Sequence, residues 1–88
     1  MKKKIAILGS TGSIGKSTID ILKKDKKNFE IVLLTTHKNI NELKKQAKIF
    51  NVKNLIISDL KKFHIYKKRN KDKKIKIFNN FDNLDAIF

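Results

Sequence analysis

The chain contains no cysteine, proline or tryptophan, and only three glycines among its 88 residues. Without cysteine there can be no disulfide, no thiolate nucleophile and no Cys-ligated metal. Long apolar runs are missing too: none approaches the ~18 residues that a membrane-spanning helix needs. The basic start Met1-Lys2-Lys3-Lys4 leads into Ile5 to Leu8, a run too short for the apolar part of a secretory leader. A cytoplasmic protein with no membrane partner is the expectation. Acidic residues are scarce, eight against 22 lysines and arginines, for a formal charge of +14. Such an excess raises nucleic acid as a partner. Readers of nucleic acid, however, want arginines for base contact and exposed aromatics for stacking. Here Arg69 is the only arginine, and the phenylalanines fall mostly at core-like positions. Lysines are scattered through every segment rather than gathered in a stripe. Together with abundant Asn, Ile and Phe, they match the drift of an AT-rich genome. No nucleic-acid partner is expected, and a basic nucleic-acid-binding module stands as the lesser alternative.

A chain of this length is at most one small domain. All three of its glycines lie within Gly9-Ser10-Thr11-Gly12-Ser13-Ile14-Gly15, directly after the apolar Ile5-Ala6-Ile7-Leu8 and before a helix-like segment. Strand, glycine turn and helix form the layout that holds a nucleotide pyrophosphate. Gly9 allows the sharp turn out of the strand. Gly12 lets phosphate oxygens approach the backbone, and Gly15 lets the helix pack close to the strand. The helix start then presents unpaired N–H groups and a partial positive charge. The dipole contributes only about 0.3–1 kcal/mol when exposed. Direct hydrogen bonds must do most of the holding, with the Thr11 and Ser13 hydroxyls as candidates. The spacing is G-x-x-G-x-x-G rather than the commoner G-x-G-x-x-G, so the surrounding elements carry the reading more than the glycines do.

Those elements alternate. Lys3 to Leu8 reads as a first strand and Ser13 to Lys24 as a first helix, with Ile14, Thr18, Ile21 and Leu22 forming its buried face. Phe29 to Thr35 reads as a second strand. Ile40 to Phe50 reads as a second helix with Ile40, Leu43, Ala47 and Phe50 inward, Asn39 as N-cap and Glu42 completing an approximate capping box. Val52 to Ser58 is a third strand. Asp59 to Tyr66 reads as a short helix capped by Asp59, with Leu60, Phe63 and Tyr66 facing inward. Lys67 to Lys74 reads as a solvated loop, Ile75 to Phe78 as an edge strand, and Leu84 to Phe88 as the opening of a further strand beside the first. Strands joined through helices should be parallel. The fold class expected is α/β, a Rossmann-like parallel sheet forming the N-terminal half of a dinucleotide-binding domain.

Such folds read the adenosine ribose at the tip of the second strand. A carboxylate there selects NAD, and a basic residue accommodates the 2′-phosphate of NADP. The tip is Thr35-Thr36-His37-Lys38-Asn39, and no carboxylate appears before Glu42. A 2′-phosphate would meet Lys38, the Thr35 and Thr36 hydroxyls and the N–H groups opening the second helix. The residues themselves therefore point to NADPH. His37 and His64 have no carboxylate at ligand spacing, so no metal site is expected.

Lys4 to Gly15, followed by Ser17-Thr18 and Asp20, closely resembles the N-terminus of the 1-deoxy-D-xylulose 5-phosphate reductoisomerase family, whose opening signature is G-S-T-G-S-I-G. The resemblance continues through Lys38-Asn39 and, more weakly, to Asp85-Ala86-Ile87-Phe88. It implies NADPH as cofactor and a Gly-Lys-Asn tip, with His37 here in the place of the glycine, a larger side chain beside the adenosine. The expected cofactor-binding residues are Gly9, Thr11, Gly12, Ser13, Ile14, His37, Lys38 and Asn39. The resemblance also implies a phosphosugar substrate, 1-deoxy-D-xylulose 5-phosphate, rearranged and reduced to 2-C-methyl-D-erythritol 4-phosphate for isoprenoid synthesis. Mg²⁺ or Mn²⁺ and a homodimer are implied for the full-length form. The family's metal carboxylates, lid and substrate-phosphate site belong to later parts of its pattern. No catalytic or metal-binding residue is assigned here. Residues 1–88 are expected to be a partial NADPH-binding domain, inactive alone, with the catalytic and C-terminal domains outside this chain. Another NADP-binding oxidoreductase that shares only the glycine turn is the alternative.

Overall fold

The computed structural model describes residues 2–82 and Ile87. Strands and helices alternate as β1 (Lys3–Ile7), α1 (Ser13–Lys23), β2 (Phe29–Thr36), α2 (Ile40–Phe50), β3 (Asn54–Ile57), α3 (Leu60–Arg69) and β4 (Lys76–Phe78). The four strands form one sheet in the order β1-β2-β3-β4, and every neighbouring pair is parallel. This is the expected Rossmann-like α/β arrangement, with each strand joined to the next through a helix. No helix among the described residues is long and apolar enough to cross a membrane.

The core sits where strands are covered on both faces. Leu33 and Leu34 in β2, and Leu55, Ile56 and Ile57 in β3, are buried at consecutive positions. Consecutive burial is the mark of a strand sandwiched between helices. β1 is less enclosed: its register against β2 slips between Ile5 and Ala6, and Leu8, just past its end, is 62% exposed. The expected edge strand is β4, held on β3 by Ile77 and Phe78. Of the stretch Leu84–Phe88, read from sequence as a strand, Ile87 alone is described and is helical; the rest lies outside the described residues.

Two helix faces and one helix end differ from expectation. α1 buries Gly15, Ile19 and Leu22, whereas Ile14 and Ile21 are 85% and 69% exposed. The face is set by Gly15. A Cβ at that position would stand 2.4 Å from the Gly9 carbonyl oxygen, so the helix touches the turn backbone there. Residues one position earlier are rotated about 100° away from the contact. In α3, Phe63 is buried and Tyr66 half-buried, but Leu60 is exposed. α3 also runs on through Lys67, Lys68 and Arg69, where a solvated loop is expected from sequence. Lysine and arginine are good helix formers, and cations suit the last turn of a helix.

The caps follow the sequence more closely. Asn39 Oδ1 accepts from the Glu42 N–H at 3.2 Å, the first half of the capping box, and Asp59 Oδ2 accepts from the Lys62 N–H at 3.0 Å. α2 ends at Asn51 in the left-handed conformation (φ 54°), and Val52 N–H closes the turn on the Ala47 carbonyl at 2.9 Å.

Candidate functional site

The glycine turn and the tip of β2 meet at the C-terminal edge of the sheet. Gly9 takes a φ of +65°, which suits glycine, and reverses the chain out of β1. The turn is fastened to β2 by four contacts, the longest being Ser10 Oγ donating to the Thr35 carbonyl at 3.3 Å. Gly9 N–H donates to Thr35 Oγ1 at 2.7 Å, Ser10 N–H donates to the Thr35 carbonyl at 2.9 Å, and the Thr11 and Thr36 hydroxyls pair at 2.7 Å. From the other side Gln46 Nε2, on α2, donates to the Ser10 carbonyl at 2.9 Å. Ser10 and Gln46 are both buried, so the centre of the turn is enclosed by protein.

Its outer side is open. Gly12 is the N-cap of α1 and supplies no side-chain cap. A Cβ there would meet only the Gly9 oxygen, at an ordinary 3.5 Å, so no internal packing demands glycine. Lys16 is the first residue of the helix to donate back, to the Gly12 carbonyl at 2.8 Å; the N–H groups of Ser13, Ile14 and Gly15 have no acceptor among the described residues. Three adjacent unpaired N–H groups behind a residue with no side chain suit an oxyanion such as a phosphate.

Gly9 shapes the turn, and Gly12 leaves its outer face clear. Ser13 is exposed with a hydroxyl that makes no bond among the described residues. Ile14 offers only its N–H to the turn's open side, since its side chain points to solvent. Thr11 is partly buried with its hydroxyl already paired to Thr36. At the β2 tip, His37, Lys38 and Asn39 are exposed. The expectation that the Thr35 and Thr36 hydroxyls meet a 2′-phosphate is corrected: both residues are buried, and their hydroxyls face the glycine turn. Asn39 spends its side-chain oxygen on the cap of α2. Lys38 makes no ion pair among the described residues, where the single pair is Lys23 with Asp20.

His37 is accommodated without strain. Its φ is not positive, so a Cβ is tolerated at the position where the resemblance implies glycine. Its Nδ1 pairs with Ser58 Oγ at 2.7 Å, which draws the ring toward the end of β3. The same corner is closed by Ser58 N–H on the Thr36 carbonyl and Asp59 N–H on the His37 carbonyl, both at 3.0 Å.

Sequence reasoning missed Ser10 and Gln46. Ser10 gives no outward sign. Gln46 could have been found, because it sits three residues after Leu43 and one before Ala47, a polar residue inside an apolar stripe. Among the described residues no group of three or more His, Cys, Asp or Glu could hold a metal ion.

The edge that carries the turn, the open helix start and the acid-free tip is the crevice where open α/β sheets bind ligands. A family model described as 1-deoxy-D-xylulose 5-phosphate reductoisomerase matches residues 5–87. The 1-deoxy-D-xylulose 5-phosphate reductoisomerase of Pelagibacter ubique is 58% identical over 86 residues, 98% of this chain and 22% of that protein. That of Buchnera aphidicola is 46% identical over 74 residues, 84% of this chain and 19% of the other. Among solved structures, the Zymomonas mobilis reductoisomerase in complex with NADPH superimposes with a TM-score of 0.83 at 26% identity, covering 99% of this chain and 23% of that one. The chain thus spans about a fifth of the length of the relatives it matches. A family match over nearly all of its residues, on the fold that the family's NADPH complex displays, means that the chain belongs to the 1-deoxy-D-xylulose 5-phosphate reductoisomerase family.

Proposed function

We propose that this chain is the NADPH-binding part of a 1-deoxy-D-xylulose 5-phosphate reductoisomerase. The observation that carries the reading is the pairing of an open, uncapped α1 start with a β2 tip that offers Lys38 and no carboxylate. The N–H groups of Ser13, Ile14 and Gly15 hold the pyrophosphate. Gly12 admits it to the backbone, and Lys38 neutralises the 2′-phosphate. Asn39 keeps the start of α2, and so the tip, in place. Bound NADPH supplies the hydride that reduces the rearranged substrate. The relatives' substrate, 1-deoxy-D-xylulose 5-phosphate, its product 2-C-methyl-D-erythritol 4-phosphate, the role in isoprenoid synthesis, a cytoplasmic setting and a homodimer extend to this protein through family membership. The described residues do not fit a divalent metal, so Mg²⁺ or Mn²⁺ has no ligand here and no step is assigned to it.

The test is calorimetric titration of the chain with NADPH and with NADH. Saturable NADPH binding, tighter than NADH binding by about tenfold or more, is expected; a tenfold ratio corresponds to about 1.4 kcal/mol. Absence of saturable NADPH binding to the folded chain would refute the reading.

A further inference from the structure

Lys38 is not the only cation at the ribose end of the crevice. A cleft of about 210 Å³ lies between the start of α2 and one face of α3, and its lining includes Lys38 and Asn39 on one wall and Lys62, Ile65 and Arg69 on the other. Lys62 and Arg69 are seven residues apart with Ile65 between them, so they share a helical face. No carboxylate lines the cleft. The two nearest in sequence are turned elsewhere: Asp59 caps α3 through the Lys62 N–H, and Glu42 lines a separate cavity between α1 and α2. The lysines on either side of this wall have partners of their own, Lys44 over the Tyr66 ring and Lys67 over the Phe63 ring. Lys62 has no ion pair or ring partner among the described residues.

The backbone that carries Lys62 is anchored to the β2 tip. The β3–α3 corner is bound to the β2 tip by Ser58 N–H on Thr36, Asp59 N–H on His37, and the His37–Ser58 side-chain pair. Lys62 stands in the first turn of α3, directly after that corner, at the strand ends that form the crevice. Arg69 lies two turns further out.

We propose that Lys62 is a second specificity-determining residue, which faces Lys38 across the cleft and shares the 2′-phosphate of NADPH with it. This rests on the NADPH reading above. A dianionic phosphate held between two lysines explains how this chain discriminates at its tip, where the Thr35 and Thr36 hydroxyls are withdrawn into the fold.

The experiment is titration of the full chain and its Lys62→Met variant with NADPH and NADH, with helicity checked by circular dichroism. Lysine and methionine have similar helix propensity, so α3 should persist. NADPH affinity should fall about tenfold, the scale of one hydrogen bond to a charged group, with NADH affinity unchanged within about twofold. Lys62→Arg should keep the preference. Lys48→Met, which removes one lysine of α2 outside the cleft, should leave both affinities unchanged. If the parent chain prefers NADPH but Lys62→Met keeps that preference, loses both cofactors equally, or behaves like Lys48→Met, the role of Lys62 is overturned and the NADPH reading stands. If the parent chain does not prefer NADPH, both fall together.

Discussion

Gln46 on α2 holds the carbonyl of Ser10 at 2.9 Å inside the fold, although the two residues lie 36 positions apart. The other half of the same amide, Gln46 Oε1, is buried with no hydrogen-bond partner. A donor that fixes the turn is thus kept despite an orphaned acceptor. Gln46→Leu would remove both atoms and leave the Ser10 carbonyl unpaired. A loss of about 1–3 kcal/mol in stability is expected, the range for a buried group left unsatisfied. Urea denaturation checks it, and NADPH affinity should drop as the turn loosens.

Gly12 and Gly15 should fail in different ways. A Cβ at Gly15 would lie 2.4 to 2.7 Å from the Gly9 oxygen and the Ser10 backbone, none of which can swing aside. Gly15→Ala should cost about 3 kcal/mol or more, at the upper end for overpacking. At Gly12 the nearest atom is an ordinary 3.5 Å away. Gly12→Ala should cost less than about 1 kcal/mol, the difference between residues at an N-cap. On the proposed binding mode it should still weaken NADPH binding about tenfold, because the methyl group would enter the proposed phosphate path. Melting curves with and without NADPH separate the two outcomes.

This contrast explains what the sequence could and could not reveal. The alternation of strands and helices was legible because apolar runs and caps such as Asn39 and Asp59 are local signals. The face of α1 was not, because the residue that sets it has no side chain. The spacing of Ile14, Thr18, Ile21 and Leu22 points to one face, whereas the fold buries Gly15, Ile19 and Leu22. The proposed site is argued from local features, three glycines and the missing carboxylate. Its supports could not be read in this way, because Thr35, Thr36 and Gln46 act through contacts with residues 25 to 36 positions away. Nor could the end of α3, where a run of lysines read as a loop continues the helix.

Thr35 offers a sharper test of those supports. Its Oγ1 accepts from Gly9 N–H at 2.7 Å, and the residue is buried. Thr35→Val keeps the shape and the strand propensity but leaves that N–H without its acceptor. A cost of about 1–3 kcal/mol is expected. Thr35→Ser retains the hydroxyl and should recover most of it. Equal losses in the two variants, measured by thermal unfolding, would mean that packing rather than the hydrogen bond holds the turn.

Lys38→Glu should reverse cofactor preference at the β2 tip. The side chain is exposed, so the fold should tolerate the change. A carboxylate repels a 2′-phosphate and can accept from a 2′-hydroxyl. NADPH affinity should fall about a hundredfold, about 2.8 kcal/mol, while NADH affinity stays the same or improves. Parallel titrations with the two cofactors decide it; equal losses would remove Lys38 from recognition of the 2′-phosphate.

Because the backbone of the glycine turn is fastened to Thr35, its motions are tied to those of a central strand. The amides of Gly9 and Ser10 both donate to Thr35, which belongs to a strand paired on both sides. In hydrogen–deuterium exchange these two amides should be protected about as well as the buried amides of β2, although Gly9 itself is exposed at the surface. The neighbouring amides of Ser13, Ile14 and Gly15 should exchange quickly and slow only when NADPH is added. The turn would then carry two clocks within seven residues: one set by unfolding of the sheet, the other by the lifetime of the bound cofactor.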